Sequence, residues 1–277
     1  MVVVSYNSRA HLPACVTPLA GLHGVRVIVV DNASSDGSLD TVVGLPVTPV
    51  QLHRNGGFGS GCNAGWRLGA APYVLFLNPD AVLEPAALER LVAILDASPE
   101  AAAAAPKILH DGALVHSLRR FPRLRSTYAR ALFLHRLFPR ASWTDEVVRA
   151  DDAYAQPAEV EWASGACLLV RRDALERVRG FDEGFFLYCE ETDLCRRLWD
   201  EGLSVLYEPR AQCTHVGGAS APRASLLPVL VASRIRYARK HRGRIASALE
   251  RVGIALEALT RGRLRLLRAA LLGGGVA

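Results

Sequence analysis

Long apolar runs and paired cysteines are absent from the 277-residue sequence. No apolar stretch reaches the roughly eighteen residues that an α-helix needs to cross a bilayer, and the run at residues 2–4 has neither the length nor the basic flank of a signal peptide. The six cysteines include no CxxC pair, which argues against a zinc site and against a disulfide framework. We therefore expect a cytosolic protein whose cysteines are small buried residues.

Lysine is also scarce, since Lys107 and Lys240 are the only lysines among 33 basic residues. The charge is unevenly distributed: residues 223–277 hold twelve basic residues against two acids, whereas residues 1–222 hold slightly more acids than bases. A basic tail on a slightly acidic body indicates an anionic partner, either a membrane surface or a nucleic acid.

Two common nucleotide-binding motifs are missing from the glycine-rich segment 53–65, which is predicted as a loop leading into a helix near Trp66. No Lys-Ser or Lys-Thr pair follows its glycines, as a Walker A motif requires, and no GxGxxG follows the first predicted strand. P-loop NTPase chemistry and hydride transfer are therefore disfavoured.

The apolar segments that are present alternate with helical ones. Predicted strands cover residues 2–6, 25–30, 47–52, 73–77, 167–170 and 203–207. Predicted helices follow the first strand to about residue 20, begin at Pro85 and Glu190, and fill most of residues 234–272. Alternation of this kind predicts a mostly parallel, doubly wound α/β sheet flanked by helices.

Polar residues follow three of these strands at one edge of the predicted sheet. Asp31 ends the second strand, the glycine-rich segment follows the third, and Asn78 and Asp80 flank a proline after the fourth. Ligands of open α/β sheets bind beyond the carboxyl ends of the strands, where a carboxylate can hold the divalent cation of a diphosphate. Taken alone, the Asn-Pro-Asp segment also fits an ordinary Asx-type turn.

A further group of carboxylates opens the helix predicted at residues 190–202. Glu190, Glu191 and Asp193 all lie in its first turn. Apolar residues follow Glu191 at helical spacing, so Glu191 is expected on the inward face as a cleft residue. Asp193 is placed to pair with Arg197 as an ordinary ion-paired acid.

Residues 117–140 combine seven arginines with large apolar residues and contain no acid. This composition suits a membrane surface or an anionic acceptor. It suits equally well a solvated arginine face on a helical insertion, so both interpretations stay open.

Six motifs, in this order, carry a resemblance to a known family. They are VVVSYNS from residue 2, VDNASSDGS from residue 30, NGGFGSGCNAG from residue 55, LNPD from residue 77, WASGA from residue 162 and FFLYCEETDLCRR from residue 185. Together they resemble the family-2 inverting glycosyltransferases, in particular the bacterial rhamnosyltransferase-like branch, over about residues 2–220.

The resemblance implies a GT-A type, Rossmann-like domain at residues 1–220, with a variable acceptor-side insertion at residues 117–158 and a basic helical extension at residues 221–277. It implies direct displacement at the anomeric carbon of a nucleotide-diphosphate sugar, either dTDP-rhamnose or a UDP-sugar. The implied acceptor is a hydroxyl of a cell-envelope glycan or of a polyprenyl-linked sugar. Location at the inner face of the plasma membrane would suit the basic tail.

The same resemblance assigns roles to individual residues. The implied nucleotide-sugar site comprises Ser5, Tyr6, Asn7, Asp31, Ser34, Asp36, Asn55, Gly57, Phe58, Asn63, Asn78 and Asp80. The implied acceptor side comprises Trp162, Ser164 and Gly165. Within the donor site, Asp31 would bind the base, and Asp36 and Asn63 would line the nucleotide pocket.

The implied cofactor is Mg²⁺ or Mn²⁺, held by Asp80 together with the donor diphosphate. His215 is a second candidate ligand, although a lone histidine in such a segment is as often a packed or capping residue. Glu191 is the expected catalytic base, where the family usually has Asp. The longer side chain leaves Glu190 and Asp193 as alternatives.

Three other functions are weighed against this prediction. A sugar nucleotidyltransferase would favour a basic glycine-rich loop after the first strand, and residues 6–8 show none. A non-catalytic nucleotide-sugar-binding protein stays open because Asn78 and Glu191 depart from the family pattern. Nucleic-acid binding is not expected, since no recognisable motif accompanies the basic tail.

Overall fold

The structure, a computed structural model, describes residues 1–217 and 226–272. Its strands are β1 (Val2–Ser5), β2 (Val27–Asp31), β3 (Val47–Gln51), β4 (Tyr73–Leu77), β5 (Ala81–Leu83), β6 (Ala101–His110), β7 (Ala113–Leu114), β8 (Leu118–Arg119), β9 (Ala158–Val160), β10 (Trp162–Ala163), β11 (Cys167–Arg171) and β12 (Ser204–His215). Its α-helices are α1 (Leu12–Val16), α2 (Phe58–Trp66), α3 (Pro85–Asp96), α4 (Leu124–Ala131), α5 (Leu134–Leu137), α6 (Arg172–Arg177), α7 (Glu190–Asp200), α8 (Leu227–Thr260) and α9 (Leu264–Leu272). Short 3-10 helices cover Ser38–Val42 and Asp151–Tyr154. The predicted domain boundary at residues 220 and 221 lies outside the described residues.

A ten-stranded mixed sheet forms the centre, and its main strand order is β3-β2-β1-β4-β11-β6-β12-β5. The first four strands in this order are mutually parallel. Strand β11 runs antiparallel to both of its neighbours, β4 and β6, and β12 is again parallel to β6. The predicted mostly parallel α/β sheet flanked by helices is therefore confirmed.

The parallel strands form because their valine-rich sequences suit strands that are covered on both faces. Strands β1 and β2 are buried along their whole length. Successive side chains enter opposite core clusters, with Val2 and Val4 on one side of the sheet and Val3 on the other. The sheet is thus anchored from both faces, and the chain leaves β4 at a fixed point just before Asn78.

The glycine-rich segment is largely helical, because α2 begins at Phe58. A Cβ atom at Gly61 would lie 2.6 Å from Cγ1 of Val4, and one at Gly65 would lie 2.4 Å from Cγ1 of Val2. Neither distance is compatible with a real contact, so glycine at these positions lets α2 pack directly on β1. The prediction of a loop as far as Gly65 is wrong for this physical reason.

Two strands differ from the sequence-based expectation. Strand β6 is not predicted at all, since residues 101–105 are all alanine, a residue with low strand propensity. These alanines are nonetheless almost completely buried between β11 and β12. Strand β12 continues beyond residue 207 to His215, with a register shift between Glu208 and Gln212.

The C-terminal helices pack on one another and on the insertion. Helix α8 is kinked at Gly243, whose φ of 86° and ψ of −179° are not helical. An apolar cluster joins α8 to α9 and includes Val231, Ile254 and Leu266. Among the residues that the structure describes, no helix combines the length and the apolar character needed to cross a membrane. All six cysteines are buried and free, as expected.

Candidate active site

A cleft of about 360 Å³ opens at the carboxyl ends of the parallel strands. Its walls come from the residues after β1, β2 and β4, from the N-terminal ends of α2 and α7, and from the segment between β10 and β11. The predicted site residues in its lining are Tyr6, Asn55, Gly57, Phe58, Asn78, Asp80, Ser164, Gly165, Glu190, Glu191 and His215. The structure therefore brings together residues from each group that the sequence nominates for the donor, the metal, the acceptor and catalysis.

Asp80 and His215 meet at one wall of this cleft. Strands β5 and β12 pair antiparallel, with His215 opposite Ala81, and this register places His215 Nε2 3.1 Å from Asp80 Oδ1. The backbone N–H of Gly217 donates to the other oxygen, Oδ2, at 3.0 Å. Burial opposes ionisation of Asp80, but the interaction with His215 and the hydrogen bond from the Gly217 N–H together outweigh it, and the pKa of Asp80 is lowered. Asp80 is therefore an anion at the pH of a cell.

Glu190 and Glu191 occupy the first turn of α7 on the other side of the cleft. Burial raises the pKa of both carboxyl groups, and for Glu190 the neighbouring Glu191 charge raises it further. One oxygen of each, Oε2, is shielded from solvent and has no hydrogen-bond partner within the described ranges. Since buried polar atoms are normally hydrogen-bonded, such atoms mark a place where a ligand group fits.

Close backbone contacts hold this wall in place. Tyr188 and Cys189, immediately before α7, both have positive φ values, of 69° and 66°. Such values are uncommon for residues other than glycine and concentrate at functional sites. The N–H of Phe58 donates to the carbonyl oxygen of Phe186 at 3.0 Å, and a Cβ at Gly57 would lie 2.2 Å from that oxygen. The start of α2 and the segment before α7 are thus locked together.

The loops after β1 and β2 form a hydrogen-bonded layer beside the cleft. Asp31 is almost completely buried and accepts hydrogen bonds from the N–H and hydroxyl of Ser34 and from Nε2 of Gln51. The N–H of Asn7 donates to the Ser34 hydroxyl, which ties the two loops together. Asp36 accepts from the N–H of Arg9 and from Ser38. The roles of Asp31 in binding the base and of Asp36 in lining the nucleotide pocket stay predictions.

Several predicted residues do not line the cleft: Ser5, Asn7, Asp31, Ser34, Asp36, Asn63, Trp162 and Asp193. Asn63 is the most distinct of them, since its amide NH₂ donates to the Phe181 carbonyl and to Glu183, and its oxygen accepts from the Trp66 indole and the Phe181 N–H. It therefore connects α2 to the turn before α7. Its assignment to the nucleotide pocket stays untested.

Asp193 is fully buried in a cluster of cations that joins α7 to α8. Arg197 Nε lies 2.8 Å from its Oδ2, while Lys240 Nζ and His241 Nε2 lie 2.6 and 2.8 Å from its Oδ1. Burial opposes ionisation of Asp193, but these partners outweigh it and lower its pKa. This geometry is that of the ion-paired acid expected from the sequence. Asp193 is placed to hold α7 and α8 together.

The structure adds cleft residues that the sequence did not nominate, including Asn32, Phe186 and Leu187. The amide NH₂ of Asn32 donates to Asn55 Oδ1 at 2.8 Å and to the Gly57 carbonyl at 3.0 Å. Its own oxygen accepts from the Gly56 N–H. Asn32 thus fixes the approach to α2, and its place directly after Asp31 in the second motif is the signal that could have identified it.

Asp80 and His215 are the side chains of the cleft best suited to a cation. Within residues 1–217 and 226–272, no cluster of three or more His, Cys, Asp or Glu side chains could hold a metal ion by itself. A carboxylate and an imidazole 3.1 Å apart can both bind one divalent cation, provided that other oxygen ligands complete its coordination. This donor set fits an ion that is shared with a ligand.

The cleft lies at the carboxyl ends of the four parallel strands, where open α/β sheets bind their ligands. Solved glycosyltransferase structures share this fold, which is of the GT-A type. The mannosyltransferase of Pyrobaculum calidifontis, solved with GDP-mannose and Mn²⁺, matches with a TM-score of 0.58 and 16% identity over 98% of this chain and 73% of its own. Glucosyl-3-phosphoglycerate synthase of Mycobacterium tuberculosis, solved with Mn²⁺, UDP and its product, matches with a TM-score of 0.55 and 17% identity over 85% of this chain and 78% of its own.

Sequence comparison gives the family. The model of glycosyl transferase family 2 matches residues 1–179. The N-acetylglucosaminyl-diphospho-decaprenol L-rhamnosyltransferase of Mycobacterium tuberculosis is 32% identical over 231 residues, which cover 78% of this chain and 75% of that protein. The rhamnosyltransferase WbbL of Escherichia coli is 32% identical over 149 residues, 52% of each chain. The chain belongs to glycosyl transferase family 2, and the predicted glycosyltransferase is confirmed.

Proposed function

We propose that the protein is an inverting glycosyltransferase that transfers a sugar from a nucleotide-diphosphate donor to a hydroxyl of a lipid-linked or cell-envelope glycan. The names of the relatives support rhamnose as the sugar and a diphospho-polyprenol-linked N-acetylglucosamine as the acceptor. We take dTDP-rhamnose as the first donor to test and UDP-sugars as the second. The residue roles below follow from the same proposal.

One observation carries the proposal: a half-buried glutamate with one shielded, unpaired oxygen lines the same cleft as the Asp80–His215 pair. Glu191 supplies that oxygen, and Gly165 lies close enough that a Cβ there would be 3.3 Å from Glu191 Cβ. The side chain is thereby held against the segment between β10 and β11. A single positioned carboxylate is what an inverting transfer requires from the protein as a base.

The step assigned to Glu191 is proton transfer. When ionised, it accepts the proton of the acceptor hydroxyl while that oxygen attacks the anomeric carbon from the side opposite the nucleotide diphosphate. The bond to the diphosphate breaks in the same displacement, so the configuration at the anomeric carbon is inverted. The raised pKa of Glu191 makes it a stronger base than an exposed glutamate would be.

We also propose that Asp80 and His215 hold a divalent cation together with oxygens of the donor diphosphate and water. When bound, such a cation would supply positive charge beside the diphosphate, so that the leaving group would not need a proton from the protein. The presence of Mn²⁺ in solved structures of the same fold supports a divalent ion, and Mg²⁺ and Mn²⁺ are both to be tested. The protein's own part is to fix Asp80 through Gly217 and His215.

A peripheral position at an anionic membrane surface is the last part of the proposal. Helix α8 exposes Ile245, Leu249, Val252 and Leu259 at helical spacing, with exposed fractions from 42% to 79%. We call these four residues the α8 stripe. Exposed arginines accompany it along the C-terminal helices. An apolar stripe among cations suits the boundary of an anionic bilayer, where a lipid-linked acceptor would be met.

A donor screen and a product analysis test the proposal. Thermal shifts with dTDP-, UDP- and GDP-sugars, with and without Mg²⁺ or Mn²⁺, should show stabilisation by a nucleotide sugar and its cation. Transfer from that donor to a synthetic diphospho-polyprenyl N-acetylglucosamine should then give a product of inverted anomeric configuration by NMR. Retained configuration would contradict inversion, and donor binding without any transfer would favour the non-catalytic alternative.

A further inference from the structure

A second cavity of about 460 Å³ lies beside the cleft, between the insertion, α7 and the C-terminal helices. It shares Ser164, Tyr188 and Glu191 with the cleft. Glu191 therefore stands at the junction of the two spaces. A hydroxyl group in this second cavity would therefore have access to Glu191.

Four arginines line the second cavity, and two of them are already paired. Arg130 contacts Asp145 and Glu257, and Arg234 contacts Glu146 and Glu250 at 2.6 and 2.7 Å. The remaining two arginines are Arg119 and Arg263. Their side chains form no hydrogen bond or ion pair with any residue that the structure describes. Two guanidinium groups are thus left to face an incoming anion.

Arg119 is held firmly, although its guanidinium forms no hydrogen bond or ion pair within the described part of the chain. Its backbone pairs with Trp162 in the two-stranded sheet β8-β10 and with Val147 in an isolated bridge. Its guanidinium carbon lies 5.8 Å from the centre of the Trp162 ring. Burial lowers the pKa of Arg119, although the charges of the nearby Glu146 and Asp145 oppose this shift. A preorganised, partly desolvated guanidinium is suited to bidentate binding of phosphate oxygens.

Apolar side chains also line the cavity. They are Leu227, Leu230, Val231 and Ile254 from α8 and Leu266 from α9, and we call these five residues the apolar wall. A ligand that fills the whole cavity would therefore need an anionic head near the arginines and a hydrocarbon part near the leucines. This combination describes a phosphorylated lipid better than a free sugar phosphate.

We propose that this cavity binds the acceptor as an isoprenoid diphosphate, with the diphosphate on Arg119 and Arg263 and the first isoprene units against the apolar wall. The inference rests on the proposed function, since it takes the molecule in the cavity to be the sugar acceptor. The acceptor sugar then extends from the diphosphate toward Glu191 at the junction. Arg119 and Arg263 are acceptor-binding residues and take no part in donor binding.

The test is equilibrium binding of radiolabelled farnesyl diphosphate, measured with saturating dTDP and Mg²⁺ so that the cleft is blocked. Farnesol and inorganic pyrophosphate are the matched probes, since farnesol has only the isoprenoid chain and pyrophosphate has only the diphosphate. The variants are Arg119→Gln, Arg263→Gln and Arg119→Lys, with Arg177→Gln as control because Arg177 is an exposed arginine on α6. Arg263 is itself exposed, so its variant keeps the test valid if Arg119→Gln does not fold.

Farnesyl diphosphate should bind wild-type protein and Arg177→Gln equally, and both glutamine variants should weaken it on the order of tenfold or more. Arg119→Lys should recover part of the loss, since lysine keeps the charge without the planar fork. Farnesol or pyrophosphate binding as tightly as farnesyl diphosphate would overturn the inference, as would equal affinity in all variants. If donor sugars stabilise the wild type but the arginine variants bind normally, this inference alone fails; if no donor sugar binds, the proposed function fails.

Discussion

Nε2 of His215 lies 3.1 Å from Oδ1 of Asp80, because strand β12 returns along the chain to pair with β5 just beyond the end of β4. This contact places an imidazole beside the carboxylate that the sequence nominates as the cation ligand. The two side chains can therefore either form a hydrogen bond with each other or bind one cation together. The alternatives of a metal ligand and a packing residue for His215 are therefore separable by experiment.

Asp80→Asn should abolish most of the stabilisation by the donor and its cation. The substitution removes the one full negative charge at this wall of the cleft, and we expect the apparent Mn²⁺ affinity to fall tenfold or more. His215→Ala should give a smaller loss, because it removes one possible ligand and leaves the carboxylate of Asp80 in place. Titration of Mn²⁺ in the presence of nucleotide diphosphate, followed by thermal shift, measures both. Unchanged affinity in His215→Ala would identify His215 as a packing residue.

Glu191→Gln should lower turnover on the order of a hundredfold or more while donor binding is retained, because the amide cannot accept the acceptor proton. Initial rates of sugar transfer and thermal shifts with the donor give the two readouts. Glu176→Gln, at an exposed position on α6, is the control for the change of charge. Turnover close to that of the wild type would refute the assignment and direct attention to Glu190.

The pH profile of transfer offers an independent check on the glutamate pair. Burial raises the pKa of both carboxyl groups above the ordinary value of 4.5. The acidic limb of the profile, over which kcat/KM rises with pH, should therefore have its midpoint above pH 4.5. The apparent pKa of this limb belongs to the pair of carboxyl groups rather than to either residue, since the charge of one affects the ionisation of the other. Glu190→Gln removes one of the two titrating groups and should leave a single rise, that of Glu191, which still lies above pH 4.5 because burial of Glu191 remains. A limb at or below 4.5 would contradict this account.

The same pKa shifts predict how stability depends on pH. The folded protein holds these two protons more tightly than the unfolded chain does, so the contribution is fully present below pH 4.5 and is lost as pH rises through the raised pKa. Glu190→Gln should therefore raise Tm at pH 8 more than at pH 4.5. The exposed Glu176→Gln should show no such difference, and an equal effect at both pH values would argue against burial as the cause.

Local sequence patterns predicted the strand that leads to Asp80 and the inward position of Glu191, since an apolar run and a helical spacing are properties of neighbouring residues. They did not predict β6, because its alanines become a strand only through burial between two partners. They also did not fix the Asp80–His215 contact, which depends on the pairing of β12 with β5 across the fold.

Asn63 shows a different limit of sequence reasoning. Its glycine-rich surroundings predicted a loop at this position, although the glycines are present because α2 packs closely on β1. In a helix the side chain at this position points toward the turn before α7, where four hydrogen bonds satisfy it. The chemical type of the residue was informative, but its direction was set by the secondary structure.

Gly57→Ala should disrupt the cleft more than its backbone strain alone explains. Gly57 has a φ of 89°, and an added Cβ would lie 2.2 Å from the Phe186 carbonyl oxygen. Gly44 has a φ of 86° with no atom within 4 Å, so Gly44→Ala is a control that carries the strain without the clash. The backbone strain alone should lower the free energy of unfolding by about 1–3 kcal/mol. Gly57→Ala should lower it by more than that and should also weaken donor binding. Equal losses of Tm and normal donor binding in both variants would show that the contact with Phe186 is unimportant.

Ile245→Glu should weaken binding to anionic vesicles if the α8 stripe lies on a membrane. Ile245 is 79% exposed, and burying such a side chain contributes about 1.5–3 kcal/mol, so its loss should reduce partitioning roughly tenfold or more. Val43→Glu is the matched control, because Val43 is 80% exposed at the end of a 3-10 helix away from α8.

Co-sedimentation with phosphatidylglycerol and phosphatidylcholine vesicles at two salt concentrations measures the effect, and only the anionic vesicles should bind the wild type in a salt-dependent way. The same loss in both variants, or equal binding to both lipids, would remove the α8 stripe as the membrane contact. Transfer to a short, water-soluble acceptor should be unchanged in Ile245→Glu, because the stripe does not line the cleft.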